Sequence, residues 1–175
     1  MSHGIAALAI QKIFTAERVP PRFWILSIGC AMLPDIDVAG FAFGIRYHSA
    51  FGHRGITHSL PFALLVGCAA GWFAWQGAPR VGSTWVVLAA YFFVVTASHP
   101  LLDAMTNGGL GVAFFAPFSN ERYFLPWRPI EVSPIGFDFF SARGIAVLWS
   151  EIKWIWIPSA LLVTGAHFVW QAIRK

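Results

Sequence analysis

The sequence predicts an all-α protein: a polytopic membrane helix bundle of about four to five membrane helices, one of them broken or re-entrant, with an interfacial loop. Two observations predict it. Apolar residues make up 57% of the chain and charged residues only 11%, where an ordinary soluble domain is about a quarter charged. One core in a chain of 175 residues cannot enclose that much apolar surface, so lipid has to cover the rest. Several apolar runs also approach the roughly 20 residues that a helix needs to cross the hydrocarbon. Residues 1–175 read as a single integral-membrane domain, with no internal repeat or low-complexity tract.

Each element follows in order. Ser2 to Ala16 is short and ends among charges and prolines (Lys12, Glu17, Arg18, Pro20-Pro21), which predicts a short helix dipping into the bundle. Phe23 to Ile45 is long enough to cross but contains Pro34, Asp35 and Asp37. Two carboxylates are too costly to face lipid, so they should face protein or a polar cavity. The proline should break the helix, since it lacks an N–H and clashes with the preceding turn. Leu60 to Trp75, Thr84 to Ser98 and Trp154 to Ile173 are the cleanest spans, and Gly77 to Gly82 is a tight connection. Asn107 to Arg143 is one long loop rich in Gly, Pro and aromatics, including Phe114, Phe115, Phe118, Tyr123 and Trp127. Aromatic rings favour the headgroup level, so this loop reads as an interfacial lid. Met1 to Thr15 has no basic head, long apolar run or small-residue cleavage site, and predicts no removable signal peptide.

The formal charge of +4 is dispersed, with no Lys/Arg cluster. That excludes a nucleic-acid footprint and suits basic membrane flanks. Cys30 and Cys68 stand far apart within apolar runs and read as small buried hydrophobes. Five passes would put Lys12, Arg18, Arg22, Arg80, Arg174 and Lys175 on one side, against Arg46, Arg54, Arg122, Arg128, Arg143 and Lys153 on the other. Long loops count for less in the positive-inside rule, so the second face leans outward from a bacterial inner membrane.

That second face is where the chemistry collects. Three motifs stand out: Pro34-Asp35-Ile36-Asp37, His53-Arg54-Gly55-Ile56-Thr57-His58-Ser59, and His99-Pro100-Leu101-Leu102-Asp103. His99 and Asp103 are four apart, so a helix projects them from one side toward one ion. His53 and His58 flank Gly55 just before a span, and His3 adds a fourth point. Traced through five passes, all of these converge. Imidazole nitrogens and carboxylate oxygens are the ligands zinc takes. His48 reads as a loop residue, His167 as a packing or interface histidine, and Asp138 and Glu151 as solvated or capping charges near helix starts. A cluster that only satisfies itself structurally is the bland alternative for the motif residues.

These motifs resemble the YdjM-like family, described as LexA-regulated, membrane-bound, predicted metal-dependent hydrolases. The resemblance rests on Leu33 to Asp37, Gly52 to Ser59, Ser98 to Gly109 and Pro117 to Ser119, with early His3-Gly4. More distantly, the order early His, Asp, His, then HxxxD is similar to that of zinc-dependent phospholipases C and related single-strand nucleases. That similarity implies His3, Asp35 or Asp37, His53 or His58, and His99 with Asp103 as metal ligands. The downstream His and HxxxE of those enzymes have no counterpart here, since His167 with Gln171 is a poor substitute. One or two ions, zinc foremost and manganese as the other fit, are therefore expected rather than three.

The implied chemistry is hydrolysis of a phosphodiester or phosphomonoester, on a phospholipid or other amphipathic substrate, by a water made acidic by the metal. In this reading Arg54 meets phosphate oxygens through its planar fork. Asp37 serves as ligand, orienting group or base, and Thr57 adds a hydrogen bond or caps the next helix. Two alternatives compete. One is a metal-independent lipid phosphatase with His99 as nucleophile and Asp103 as its orienting partner. The other is a non-enzymatic protein, metal-stabilised or part of an ion path. Substrate, metal and oligomeric state are not legible in the sequence.

Overall fold

A computed structural model of the chain describes residues 2–15, 19–77, 84–134 and 139–173. Arg18, most of the 77–82 connection with Arg80, Asp138, Arg174 and Lys175 lie outside the described residues. The helices are α1 (Ser2–Phe14), α2 (Pro21–Met32), α3 (Leu60–Gly77), α4 (Trp85–Ala104), α5 (Ala142–Glu151) and α6 (Ile157–Ile173). A 3-10 segment, Leu33–Phe43, continues α2, and a π-helical turn, Ile152–Trp156, joins α5 to α6. Three helical stretches, Pro21–Phe43, Trp85–Ala104 and Ala142–Ile173, are long and apolar enough to cross a membrane, and Leu60–Gln76 is a shorter apolar helix. No strand forms among the described residues, only two isolated bridges.

α2 opens on Pro21, where a missing N–H costs nothing because the first turn has no partner for it. Pro34 then ends the α-helix as expected, but the chain does not turn away. It tightens into eleven 3-10 residues, stopped by Gly44 at φ 75°. Such a run is longer than 3-10 helices usually sustain. The consequence is angular. At about 3.0 residues per turn, residues two apart diverge by about 120°, against about 160° on an α-helix of 3.6. Asp35 and Asp37 can therefore both reach the same neighbour from two sides.

α3 and α4 pack most closely, and two glycines explain why. A Cβ on Gly67 would lie 2.7 Å from the Phe93 backbone nitrogen, and one on Gly71 would lie 2.5 Å from that of Ala89. Gly67 and Gly71 are four apart, so both present bare backbone to α4, the small-residue contact that membrane helices favour. The core beside this contact joins α1 to α4 through Ala7, Phe23, Ala31, Ala70, Leu88, Phe92 and Val95. Cys30 belongs to that core and Cys68 is half-buried; both are free thiols.

The long loop differs in part from the expected lid. Val112, Ala113 and Ala116 are fully or nearly fully buried and Phe114 almost so, while Phe115, Phe118 and Trp127 are exposed. Leu60 donates its backbone N–H to the Phe114 carbonyl (2.9 Å), and Ala113 donates to that of Arg54 (3.0 Å). One face of the loop is thus a packed wall against the motif residues. The last helix also begins earlier than Trp154, at Ala142. Arg143, Glu151 and Lys153 hide this helix from a hydropathy reading. The 32 residues from Ala142 to Ile173 exceed the roughly 20 that a crossing needs, so the charged α5 end extends beyond the apolar part.

Candidate metal centre

Four side chains from three elements meet at one point: Asp35 on the 3-10 segment, His58 on the turn before α3, and His99 with Asp103 on α4. His58 Nε2 lies 3.2 Å from His99 Nε2 and 3.3 Å from Asp103 Oδ2. Asp35 Oδ1 lies 3.3 Å from His99 Nε2 and 3.7 Å from His58 Nε2, and His99 Nε2 lies 3.7 Å from Asp103 Oδ2. Ligands about 2.0–2.1 Å from a tetrahedral zinc stand about 3.3 Å from one another. Five of that tetrahedron's six edges are thus 3.2 to 3.7 Å, and the sixth, between Asp35 and Asp103, is within 4.8 Å.

Proton positions support the same reading. His99 Nδ1 lies 2.7 Å from the Ala31 carbonyl, which can only accept, so Nδ1 carries the proton. His58 Nδ1 lies 3.0 Å from Asp37 Oδ2 and donates to it in the same way. Both Nε2 lone pairs then face each other across 3.2 Å, an arrangement that needs a cation or a proton between them. Burial pushes His58 down, but the carboxylates of Asp103, Asp35 and Asp37 outweigh it and raise its pKa to about 10. The charge count agrees. Asp103 pairs with the Arg54 guanidinium, while among the described residues Asp35 and Asp37 have histidines but no Lys or Arg side chain within ion-pair distance, a negative surplus that a divalent ion would balance. The donor set, its spacing and its charge fit a divalent ion that takes imidazole and carboxylate ligands.

The other expected ligands surround this point. Asp37 Oδ1 lies 2.8 Å from His53 Nδ1, and its Oδ2 accepts from the Thr57 hydroxyl (2.6 Å) and the Arg54 backbone N–H (3.2 Å). Asp37, His53 and His58 form a second group close enough to hold an ion. Asp37 stands behind His58, on the Nδ1 side of the ring that faces away from His99 and Asp103. His3 stacks on His99 with ring centroids 3.7 Å apart, and its Nε2 lies 3.8 Å from Asp103 Oδ1. That is the carboxylate oxygen opposite the one turned to the cluster.

Arg54 is buried and sits at φ 62°, a left-handed position unusual for a side chain of this size. Its Nε lies 3.3 Å from Asp103 Oδ2, and one terminal nitrogen donates to the Thr106 hydroxyl (3.0 Å) and the Gly108 carbonyl (3.1 Å). Gly109 keeps that shelf open, since a Cβ there would meet the Arg54 guanidinium at 2.9 Å. The expected phosphate clamp is thus occupied in holding Asp103. Thr57 does not cap α3; Ser59 does, accepting from the Phe62 N–H at 3.1 Å. Glu151 is not at a helix start but at the end of α5, bonded to Ser2. His48 is an exposed loop residue, and His167, also exposed, pairs with Gln171 at 2.8 Å.

A cavity of about 460 Å³ opens beside the cluster, lined by Asp35, Asp103, His3, His53 and Arg54 on one side and by Glu131, Phe139, Glu151 and Ile155 among others. Arg122 supports its rim: it donates to the carbonyls of His53 (3.0 Å), Tyr47 (3.1 Å) and Ser49 (3.2 Å). Its only sequence signal is a cation in an aromatic loop, which equally reads as a membrane flank. Thr106 and Asn107, inside the Ser98 to Gly109 motif and just past α4, tie this segment to its surroundings: Thr106 accepts from Arg54 and Asn107 donates to Glu131.

A profile of the family described as "YdjM inner membrane protein" matches residues 1–174. The chain belongs to the YdjM family. Among curated relatives, inner membrane protein YbcI of Escherichia coli (strain K12) is 37% identical over 169 residues, 93% of each chain. No solved structure is significantly similar. Membership agrees with the apolar helices in making this an integral inner-membrane protein, and the motifs that carry the YdjM resemblance are those that build the cluster.

Proposed function

We propose that this YdjM-family protein is a membrane-bound metal-dependent hydrolase that cleaves an amphipathic phosphoester. One divalent ion, zinc by preference, is held by Asp35, His58, His99 and Asp103. The observation that carries the reading is the tetrahedral spacing of these four donors with both histidine tautomers fixed, at the wall of a 460 Å³ cavity. The ion when bound supplies Lewis acidity, bringing the pKa of a water toward neutrality. Asp37 holds the imidazoles of His58 and His53, Thr57 fixes Asp37, and Arg54 balances Asp103. Asp35, with 43% of its side chain exposed against 0% for both histidines, is the ligand that can give way to substrate.

The second reading, a metal-stabilised protein without catalysis, draws on the same donors, because four protein ligands make a closed structural site. A closed site has no need of the adjoining cavity, and that favours the hydrolase. The histidine-nucleophile reading fares worse. His99 is fully buried and is not among the residues that line the cavity, so a phosphorus entering by the cavity meets Asp35 and Asp103 before it.

Elemental analysis of detergent-purified protein should show stoichiometric zinc or manganese, lost in His99→Ala. Asp35→Asn should then separate the readings. An enzyme keeps most of its metal and loses phosphoester hydrolysis, whereas a closed structural site loses metal and thermal stability together. No metal in the wild type after loading would end the proposal.

A further inference from the structure

The cavity has a second wall, and its charge is the reverse of what a phosphate pocket requires. Glu131 and Glu151 line it as well, outside the cluster, and each accepts a hydrogen bond from a residue distant in the chain. Glu151 Oε2 accepts from the Ser2 hydroxyl (2.6 Å), which itself accepts from Trp156 Nε1 (3.0 Å). Glu131 Oε2 accepts from the Asn107 amide (2.8 Å). The π-helical turn directly after Glu151 is the kind of local irregularity that often marks a functional position, and Ile155 within it lines the same cavity.

Among the described residues, no Lys or Arg lies within ion-pair distance of those two carboxylates, and Arg54 is the one lining residue with a fixed positive charge; Asp103, Thr106 and Gly108 engage it. A divalent ion would balance Asp35, Asp37 and Asp103 with Arg54, which leaves Glu131 and Glu151 outside the sum. An aromatic ring, Phe139, lies on the same surface. Two carboxylates and an aromatic ring suit a group that is positively charged and carries several N–H donors.

We infer that the headgroup bound in this cavity carries an ammonium group, recognised by Glu131 and Glu151, so that the substrate is a zwitterionic rather than a purely anionic phosphoester. The inference rests on the reading of the cavity as a substrate site and narrows its class. Glu131 and Glu151 then act as specificity residues, and phosphate is left to the metal side.

The test is calorimetric titration of the full-length, metal-loaded protein in a non-ionic detergent with two short-chain phospholipids. Their acyl chains are identical; one headgroup is phosphoethanolamine, and the other is phosphoethanol, which lacks only the ammonium. The ethanolamine lipid should bind about tenfold more tightly, as one charge-assisted contact would give. Glu131→Gln with Glu151→Gln should abolish the preference. Glu151→Asp, which keeps the charge, should retain it, and Glu131→Lys, at an exposed position, should reverse it. Equal affinity, tighter binding of the ethanol lipid, a preference that survives the double variant, or no binding of either lipid would overturn the inference. Metal analysis on the same samples separates the two claims. An ammonium preference without bound metal removes the hydrolase and keeps the recognition; bound metal without a preference does the opposite.

Discussion

The two walls of the cavity are built by different means. The metal wall draws on three short motifs, and its carboxylates at Asp37 and Asp103 are held by neighbours within those motifs: Asp37 by Thr57, His53 and the Arg54 backbone, Asp103 by Arg54. The acidic wall is assembled from single residues distant in the chain, with Ser2 bonded to Glu151 and Trp156, 149 and 154 positions away. The difference teaches that fixed geometry and fixed charge need not go together. A metal wall would need both, because four donors holding one ion must keep their spacing. The acidic wall needs only that negative charge face the cavity.

The largest break should come from Asp103→Ala. It removes a donor and leaves the buried Arg54 guanidinium without its carboxylate, and removing one partner of a buried pair costs about 3–5 kcal/mol. Bound metal should vanish in elemental analysis, and the thermal unfolding midpoint in detergent should fall. Adding Arg54→Ala should recover part of that fall, because the stranded charge goes with it. If the double variant is less stable by the full sum of the singles, Arg54 and Asp103 are not a coupled pair.

A smaller break should come from Asp37→Asn, behind the ligands. An amide keeps one acceptor for Thr57 or His58 but loses the charge that holds the imidazole proton. Losing such a partner typically lowers metal affinity 10- to 100-fold. Competition with a chromogenic chelator should show that fall with stoichiometry intact at saturating metal. Complete loss of the metal would instead make Asp37 a ligand, through the second group it forms with His53 and His58.

The contrast between the walls also explains what could be read from the sequence. His99 and Asp103 were legible because helical spacing alone puts them on one side, and Asp35 and Asp37 because carboxylates inside an apolar run must face something polar. Choosing between Asp35 and Asp37 was not possible. It depends on the chain continuing as a 3-10 helix past Pro34, and a proline says where an α-helix stops but not what replaces it. The tight α3–α4 contact was written in Gly67 and Gly71, a spacing as visible as HxxxD. Glu151 could not be found in this way. Its role depends on Ser2, at the other end of the chain, and on a π-helical turn that no periodicity announces. Within α5, Arg143 likewise read as the end of the loop and Glu151 as a charge near a helix start, because hydropathy sees a helix only where lipid does.

The smallest effect should come from Ser2→Ala on the acidic wall. The serine hydroxyl is buried, gives its proton to Glu151 and accepts from the Trp156 indole. Its removal leaves the indole N–H without that acceptor, and a net loss of about 1 kcal/mol is expected. Metal content and metal affinity should stay unchanged, because the metal donors take no bond from Ser2. The adjacent residue makes this a demanding control, since His3 stacks on His99 and touches Asp103. If Ser2→Ala shifts only the unfolding midpoint, α1 carries two independent contacts, one to each wall. If it also weakens metal binding, position 2 sets the position of His3, and the two walls act as one cooperative unit. Metal binding would then tighten when the acidic wall is occupied, because two sites coupled through α1 must influence each other equally.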